Sequence, residues 1–125
     1  MLNSVKNINL INLAVKNNKI NVKIIVNKQT IKILNLLTSY NLIEYTLESK
    51  HFALVTLKYL NSKPSLKSIN FMGGGYKNNI KKTYAISEIN NKKAFYIVQT
   101  PVGLKTMEAS IFAGHGGIIL FKVKI

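Results

Sequence analysis

Eighteen lysines, set against four glutamates and no arginine or aspartate, dominate the chemistry available to this chain. Surface pairs within the chain cannot balance a formal net charge of +14, so a counter-charge is expected from outside. Nucleic acid or an anionic membrane surface would supply it. Each phosphate that a lysine neutralises releases condensed counterions, so binding should fall steeply with salt. The lysines are spread over the whole chain, with doublets at Lys81-Lys82 and Lys92-Lys93. Lysine is a point charge and not a rigid fork. Readout of shape therefore also needs backbone groups, hydroxyls and aromatic stacking.

The C-terminal third offers such groups. Gln99 and Thr100 run into Pro101-Val102-Gly103, a tight turn that would present an amide, a hydroxyl and bare backbone N–H groups. Gly103, Gly116 and Gly117 leave room for a backbone to come close, or simply serve chain turns.

Other chemistry is excluded or weak. Without cysteine there is no disulfide framework, thiolate zinc site or cysteine nucleophile. Four scattered carboxylates and two histidines do not make a metal hydrolase or a paired-carboxylate catalyst. Gly73-Gly74-Gly75-Tyr76-Lys77 has a phosphate-cradle look but lacks P-loop spacing, and a plain mobile loop is expected. His115 between glycines reads as a turn residue, and His51 has no visible partner. No catalytic residue, metal, cofactor or small-molecule substrate is expected.

An apolar share of 47% is enough for a packed core. Leu2, Val5 and Ile8 advance by threes and Ile11 and Val15 continue the stripe, which predicts an amphipathic helix. Ile20, Val22 and Ile24 alternate with polar residues, as in a strand. A second helix is predicted over 28–40, with Asn27 as N-cap and Asn41 suited to the left-handed C-cap. Its inner face uses Ile31, Leu34 and Leu37, or Ile33, Leu36 and Leu37. Ile43, Tyr45 and Leu47, then the alternating run 52–59, flank Ser49-Lys50-His51 as a hairpin. The polar Asn61-Ser62-Lys63-Pro64-Ser65 segment divides an N-terminal α/β lobe over 1–62 from a C-terminal β-rich lobe over 66–125. In the second lobe, short strands are expected at Ile69–Phe71 and over 81–86, with the Gly73-Gly74-Gly75 loop between them. A strand over 95–99, a short helix over 106–112 capped by Gly114, and a strand over 118–123 follow. The fold class is α+β, in two small lobes: helix–strand–helix–strand–strand, then mostly β with one short helix.

Sixteen asparagines, seventeen isoleucines and the exclusive use of lysine point to an AT-rich genome. A mitochondrion is the expected setting, with a plastid or an AT-rich free-living microbe as the alternatives. The first 21 residues lack arginine and an unbroken apolar core, so no address tag is read there. No stretch reaches the roughly 18 apolar residues needed to cross a membrane. A soluble protein made in its own compartment is expected.

In their order along the chain, several motifs resemble the universal small-subunit ribosomal protein S-eight family. Ile97-Val98-Gln99-Thr100-Pro101-Val102-Gly103, Thr106 and Gly114-His115-Gly116-Gly117 are similar to its C-terminal signature. That signature is a strand, a Ser-Thr-x-x-Gly turn, a threonine three residues on, a short helix and a Gly-x-Gly-Gly-Glu strand. Leu2-Asn3-Ser4-Val5-Lys6-Asn7 resembles the family's opening helix. Asn27-Lys28 with Leu34, Leu37 and Tyr40-Asn41-Leu42-Ile43 resembles its second helix, and Lys81-Lys82-Thr83-Tyr84 its Arg-Arg-Val-Tyr strand. The chain departs from the pattern at Gln99 and Pro101, where the family has serine, at Val102 for lysine and at Ile118 for glutamate.

The resemblance implies a protein that binds central-domain rRNA and stabilises the platform of the small subunit, beside neighbouring ribosomal proteins. It implies RNA contacts from Ser4, Lys6, Asn7, Asn27 and Lys28 in the N-terminal lobe. In the C-terminal lobe they would come from Lys81, Lys82, Tyr84, Gln99, Thr100, Pro101, Gly103, Thr106, Gly116 and Gly117. Tyr84 would stack or bond a ribose, or else pack in the core. The rival readings are a basic protein on an anionic membrane surface and a small nucleic-acid enzyme. The first helix has few lysines on its polar face, and no acid–base pair or metal cluster is visible.

Overall fold

The computed structural model describes residues 2–76 and 94–125, and the chain divides into two compact units, Met1–Ile69 and Asn70–Ile125. The first contains α1 (Leu2–Lys16), β1 (Asn21–Ile25), α2 (Lys28–Ser39), β2 (Ile43–Leu47) and β3 (Phe52–Leu57). A small hairpin of β4 (Tyr59–Leu60) and β5 (Lys63–Pro64) follows. The second is built on a four-stranded sheet of β6 (Ser68–Tyr76, whose first two residues fall in the first unit), β7 (Ala94–Thr100), β8 (Gly103–Thr106) and β9 (Gly117–Lys124), with α3 (Met107–Phe112). This is the expected α+β architecture.

In the first unit the strands run in the order β1–β3–β2, both pairs antiparallel. Alternation sends Ile24, Ala53, Val55, Leu57 and Ile43 to one face, where all are buried. Ile8, Ile11, Ala14 and Val15 of α1 and Ile33, Leu34 and Leu37 of α2 complete that core. The buried face of α2 thus combines parts of both alternatives read from spacing.

The helix ends explain themselves. Asn27 caps α2: its Oδ1 accepts from the Thr30 N–H at 2.9 Å and from the buried Thr30 hydroxyl at 3.0 Å. At the other end Asn41 takes φ +60°, its N–H donates to Thr38 O at 2.9 Å, and the Leu42 N–H donates to Leu37 O at 3.1 Å. Helix α1 closes the same way through Asn18 at φ +55°, with the Asn18 and Lys19 N–H groups donating to Val15 O and Ala14 O. Asparagine tolerates the left-handed conformation better than most residues, which suits it to these positions.

Two segments differ from the sequence expectation in local form. Asn61 and Ser62 both have positive φ, 52° and 64°, and form the two-residue turn of the β4–β5 hairpin inside the first unit. Positive φ at both central positions gives a twist that matches the flanking strands. Gly73-Gly74-Gly75, expected as a loop, instead lies within strand β6, at the edge of the β6–β9–β7–β8 order. Strand state here is set by pairing with β9, and glycine propensity is too weak a signal to override it. The strand expected over 81–86 lies outside the described residues.

Replacing Asn27 by alanine is expected to cost about 1 kcal/mol, whereas serine should cost only a few tenths. Urea unfolding of the two variants beside the parent measures both.

Candidate nucleic-acid interface

Two places in the structure, one in each unit, hold described residues to which the family resemblance assigned RNA contact. In the first unit an open cleft of about 350 Å³ is lined by Lys6, Asn7, Ile25, Val26 and Asn27. Helix α1 supplies Lys6 and Asn7, while β1 leads into the N-cap of α2. Asn7 fixes the cleft: its Oδ1 accepts from the Ile25 N–H at 3.2 Å and ties α1 to the edge strand. Lys6 is exposed, and Lys28 is exposed at the first position of α2 beside Asn27. The cleft therefore sets a lysine next to the positive end of a helix dipole, an arrangement that favours an anionic group. Ser4 lies in α1, two residues before Lys6 and three before Asn7. Ile25 and Val26, absent from the sequence-predicted set, form a wall of the cleft. Their position just before an N-cap asparagine was the available signal.

Charge elsewhere on this unit is partly neutralised. Among the described residues Lys23 pairs with Glu48 at 3.2 Å and Lys58 with Glu44 at 3.5 Å. Lys23 also lies 4.9 Å from the centroid of the Phe52 ring. Lys6 is not a member of either pair and lines the cleft.

In the second unit β7 and β8 form a hairpin in which Thr100 pairs with Gly103. Gly103 adopts φ +125°, and nothing stands within 4 Å of where its Cβ would lie, so backbone conformation selects glycine there. Thr100 is only 4% exposed. Its hydroxyl donates to Gly103 O at 2.8 Å and accepts from the Val102 N–H at 3.3 Å. The side-chain amide of half-buried Gln99 donates to Thr100 O at 3.3 Å. Both polar side chains bond within the hairpin, and Pro101 and Val102 are its exposed residues. Buried Thr106 caps α3, its Oγ1 accepting from the Ala109 N–H at 3.3 Å.

Gly117 holds this hairpin against β9. A Cβ there would stand 2.1 Å from Gln99 O and 3.0 Å from Gln99 C. Only a residue without a side chain lets β9 approach β7 this closely. Gly116 is half-exposed beside it. Further along, Ile97 pairs with Phe121 but Val98 with Ile119, so Leu120 is an extra residue in β9. Ile119, Leu120 and Phe121 are all buried. Tyr96, Val98, Met107 and Ile119 form the core between sheet and helix. Helix α3 ends at Gly114, φ +80°, with the His115 N–H donating to Ser110 O. Lys81, Lys82 and Tyr84 lie outside the described residues.

Among the described residues no three histidines or acids gather into a metal-binding group, and no helix is long and apolar enough to cross a membrane. In comparisons with known proteins, the family model described as Ribosomal protein S8 matches residues 3–123. No curated protein matches the chain in direct sequence comparison.

Gly117→Ala should destabilise the protein by about 3 kcal/mol, because backbone and not a flexible side chain must move. Hydrogen exchange would show the loss first in β7 and β9. Thr100→Ser should stay close to the parent, while Thr100→Val should lose about 1.5 kcal/mol by stranding the Val102 N–H and Gly103 carbonyl. Urea titrations separate these outcomes.

Proposed function

The chain belongs to the ribosomal protein S8 family, and from that premise we propose that it binds central-domain rRNA and stabilises the platform of a small ribosomal subunit. The family is one of structural rRNA-binding proteins and not of enzymes. The observation that carries the reading is the coincidence of a +14 chain with a match spanning residues 3–123. The Lys6–Asn27 cleft would receive a phosphate, and the 100–103 hairpin would supply short-range fit. Phosphate contacts set register, and fit to an irregular helix supplies selectivity. Neighbouring ribosomal proteins would complete the environment. The richness in asparagine, isoleucine and lysine supports an organellar ribosome, with a mitochondrion as the proposed compartment.

The experiment is a titration of the chain with a transcript of the small-subunit central-domain hairpin, across salt, against a scrambled RNA of equal length. Lys6→Gln combined with Lys28→Gln should lower the slope of log K against log salt by up to about 2 while leaving the preference for the hairpin intact. An unchanged slope would remove both lysines from the phosphate contacts.

A further inference from the structure

Both acids of the first unit lie at its sheet, although that unit carries ten lysines against two glutamates, a formal +8. Ile24, Ala53 and Val55 are buried, so strand alternation sends Lys23, Ile25, Phe52 and Leu54 to the opposite face. Pairing sets Lys23, Leu54 and Thr46 in one row across β1, β3 and β2, with Ile25 beside Phe52 in a neighbouring row. Ile25 is 54% exposed and Phe52 39% exposed, while Leu54 is half-buried. Exposed Glu44 stands opposite Thr56 at one end of this strip. At the other end Glu48, just past β2, reaches Lys23 at 3.2 Å, and Lys23 lies over the Phe52 ring. An apolar strip is thereby bordered by a carboxylate at each end, in a unit whose charge is otherwise cationic.

This combination does not suit RNA. Carboxylates repel phosphates, and the lysine within the strip is already engaged by Glu48. It suits a protein. Interface cores favour an aromatic anchor and few charges, and opposite charges at the rim fix orientation. The Lys23–Glu48 and Lys58–Glu44 pairs are open to solvent, so they are weakly held and a partner's cations can displace them. We propose that the Ile25–Phe52–Leu54 strip docks a protein partner whose apolar segment is flanked by lysine or arginine. Glu44 and Glu48 receive those cations. The inference rests on the ribosomal reading for its setting and adds to it the chemistry of one protein contact.

The test uses the full chain in assembled small subunits. Thr46, exposed on this face, is replaced as Thr46→Cys, labelled with a benzophenone and irradiated. The expected adduct is with protein, at an apolar segment beside lysine or arginine, as identified by mass spectrometry. An adduct with rRNA, an adduct with a protein segment lacking basic residues, or no adduct above the dark control would overturn the proposal. Phe52→Gln in the labelled chain should lower the protein adduct about tenfold, as loss of a central aromatic anchor does. Glu44→Gln with Glu48→Gln, at exposed positions, should lower it about threefold without disturbing the fold. Thermal melts confirm that each variant is folded, and an undiminished adduct in folded variants would again overturn the proposal. In the free chain, the paired glutamate substitutions should leave affinity for the hairpin transcript within about twofold at about 0.15 M salt, where charges beyond about 8 Å are screened. Markedly tighter binding would place this face on RNA. A parent that neither enters small subunits nor prefers the hairpin over scrambled RNA would instead defeat the ribosomal reading itself.

Discussion

One backbone approach organises the second unit: β9 lies so close to β7 at Gly117 that no side chain fits between that residue and the Gln99 carbonyl. The rest follows from this pairing. It places Ile118 opposite Gln99 and so brings the end of β9 alongside the β7–β8 hairpin. The extra residue at Leu120 then shifts the register within a run of three buried side chains, Ile119 to Phe121. Helix α3 covers one face of the sheet through Met107, held at its start by Thr106 and at its end by Gly114. The hairpin is thus fixed from below by a strand contact and from within by the Thr100 hydroxyl.

The first unit solves a different problem with a different residue. Helix α2 begins on asparagine, with Asn27 accepting hydrogen bonds as its N-cap, and both helices are followed by an asparagine in the left-handed conformation, Asn18 and Asn41. Asn7 and Asn12 reach further, accepting from the Ile25 and Ile69 N–H groups and so joining α1 to the backbone elsewhere in the unit. A composition biased towards asparagine has been put to structural use at each of these positions. The Lys6–Asn27 cleft is a by-product of this stapling, because Asn7 anchors the helix turn that carries Lys6.

Much of this was legible in the sequence. Asn27 and Asn41 marked the ends of α2 because capping depends on local chemistry. The alternating 43–47 and 52–57 runs gave their pairing because one face had to be buried. What escaped was non-local. The strand state of Gly73-Gly74-Gly75 depends on the neighbour β9, which no local pattern announces. The bulge at Leu120 leaves only an unbroken apolar run. Thr100 was expected to offer its hydroxyl outward, whereas burial inside the hairpin commits it to the Val102 N–H and Gly103 carbonyl. Spacing placed Thr100 in the turn, but the direction of its hydroxyl is a property of the folded hairpin.

The proposed rRNA contact at the hairpin end of the second unit can be measured directly, because the chain has no cysteine. Phe112, 95% exposed at the end of α3 and outside both candidate contacts, can be replaced by a single cysteine. An iron chelate attached there would generate hydroxyl radicals in assembled small subunits. Cleavage confined to one hairpin of the central domain is the predicted result. Cleavage scattered over the rRNA, or none above background, would contradict the placement of this unit.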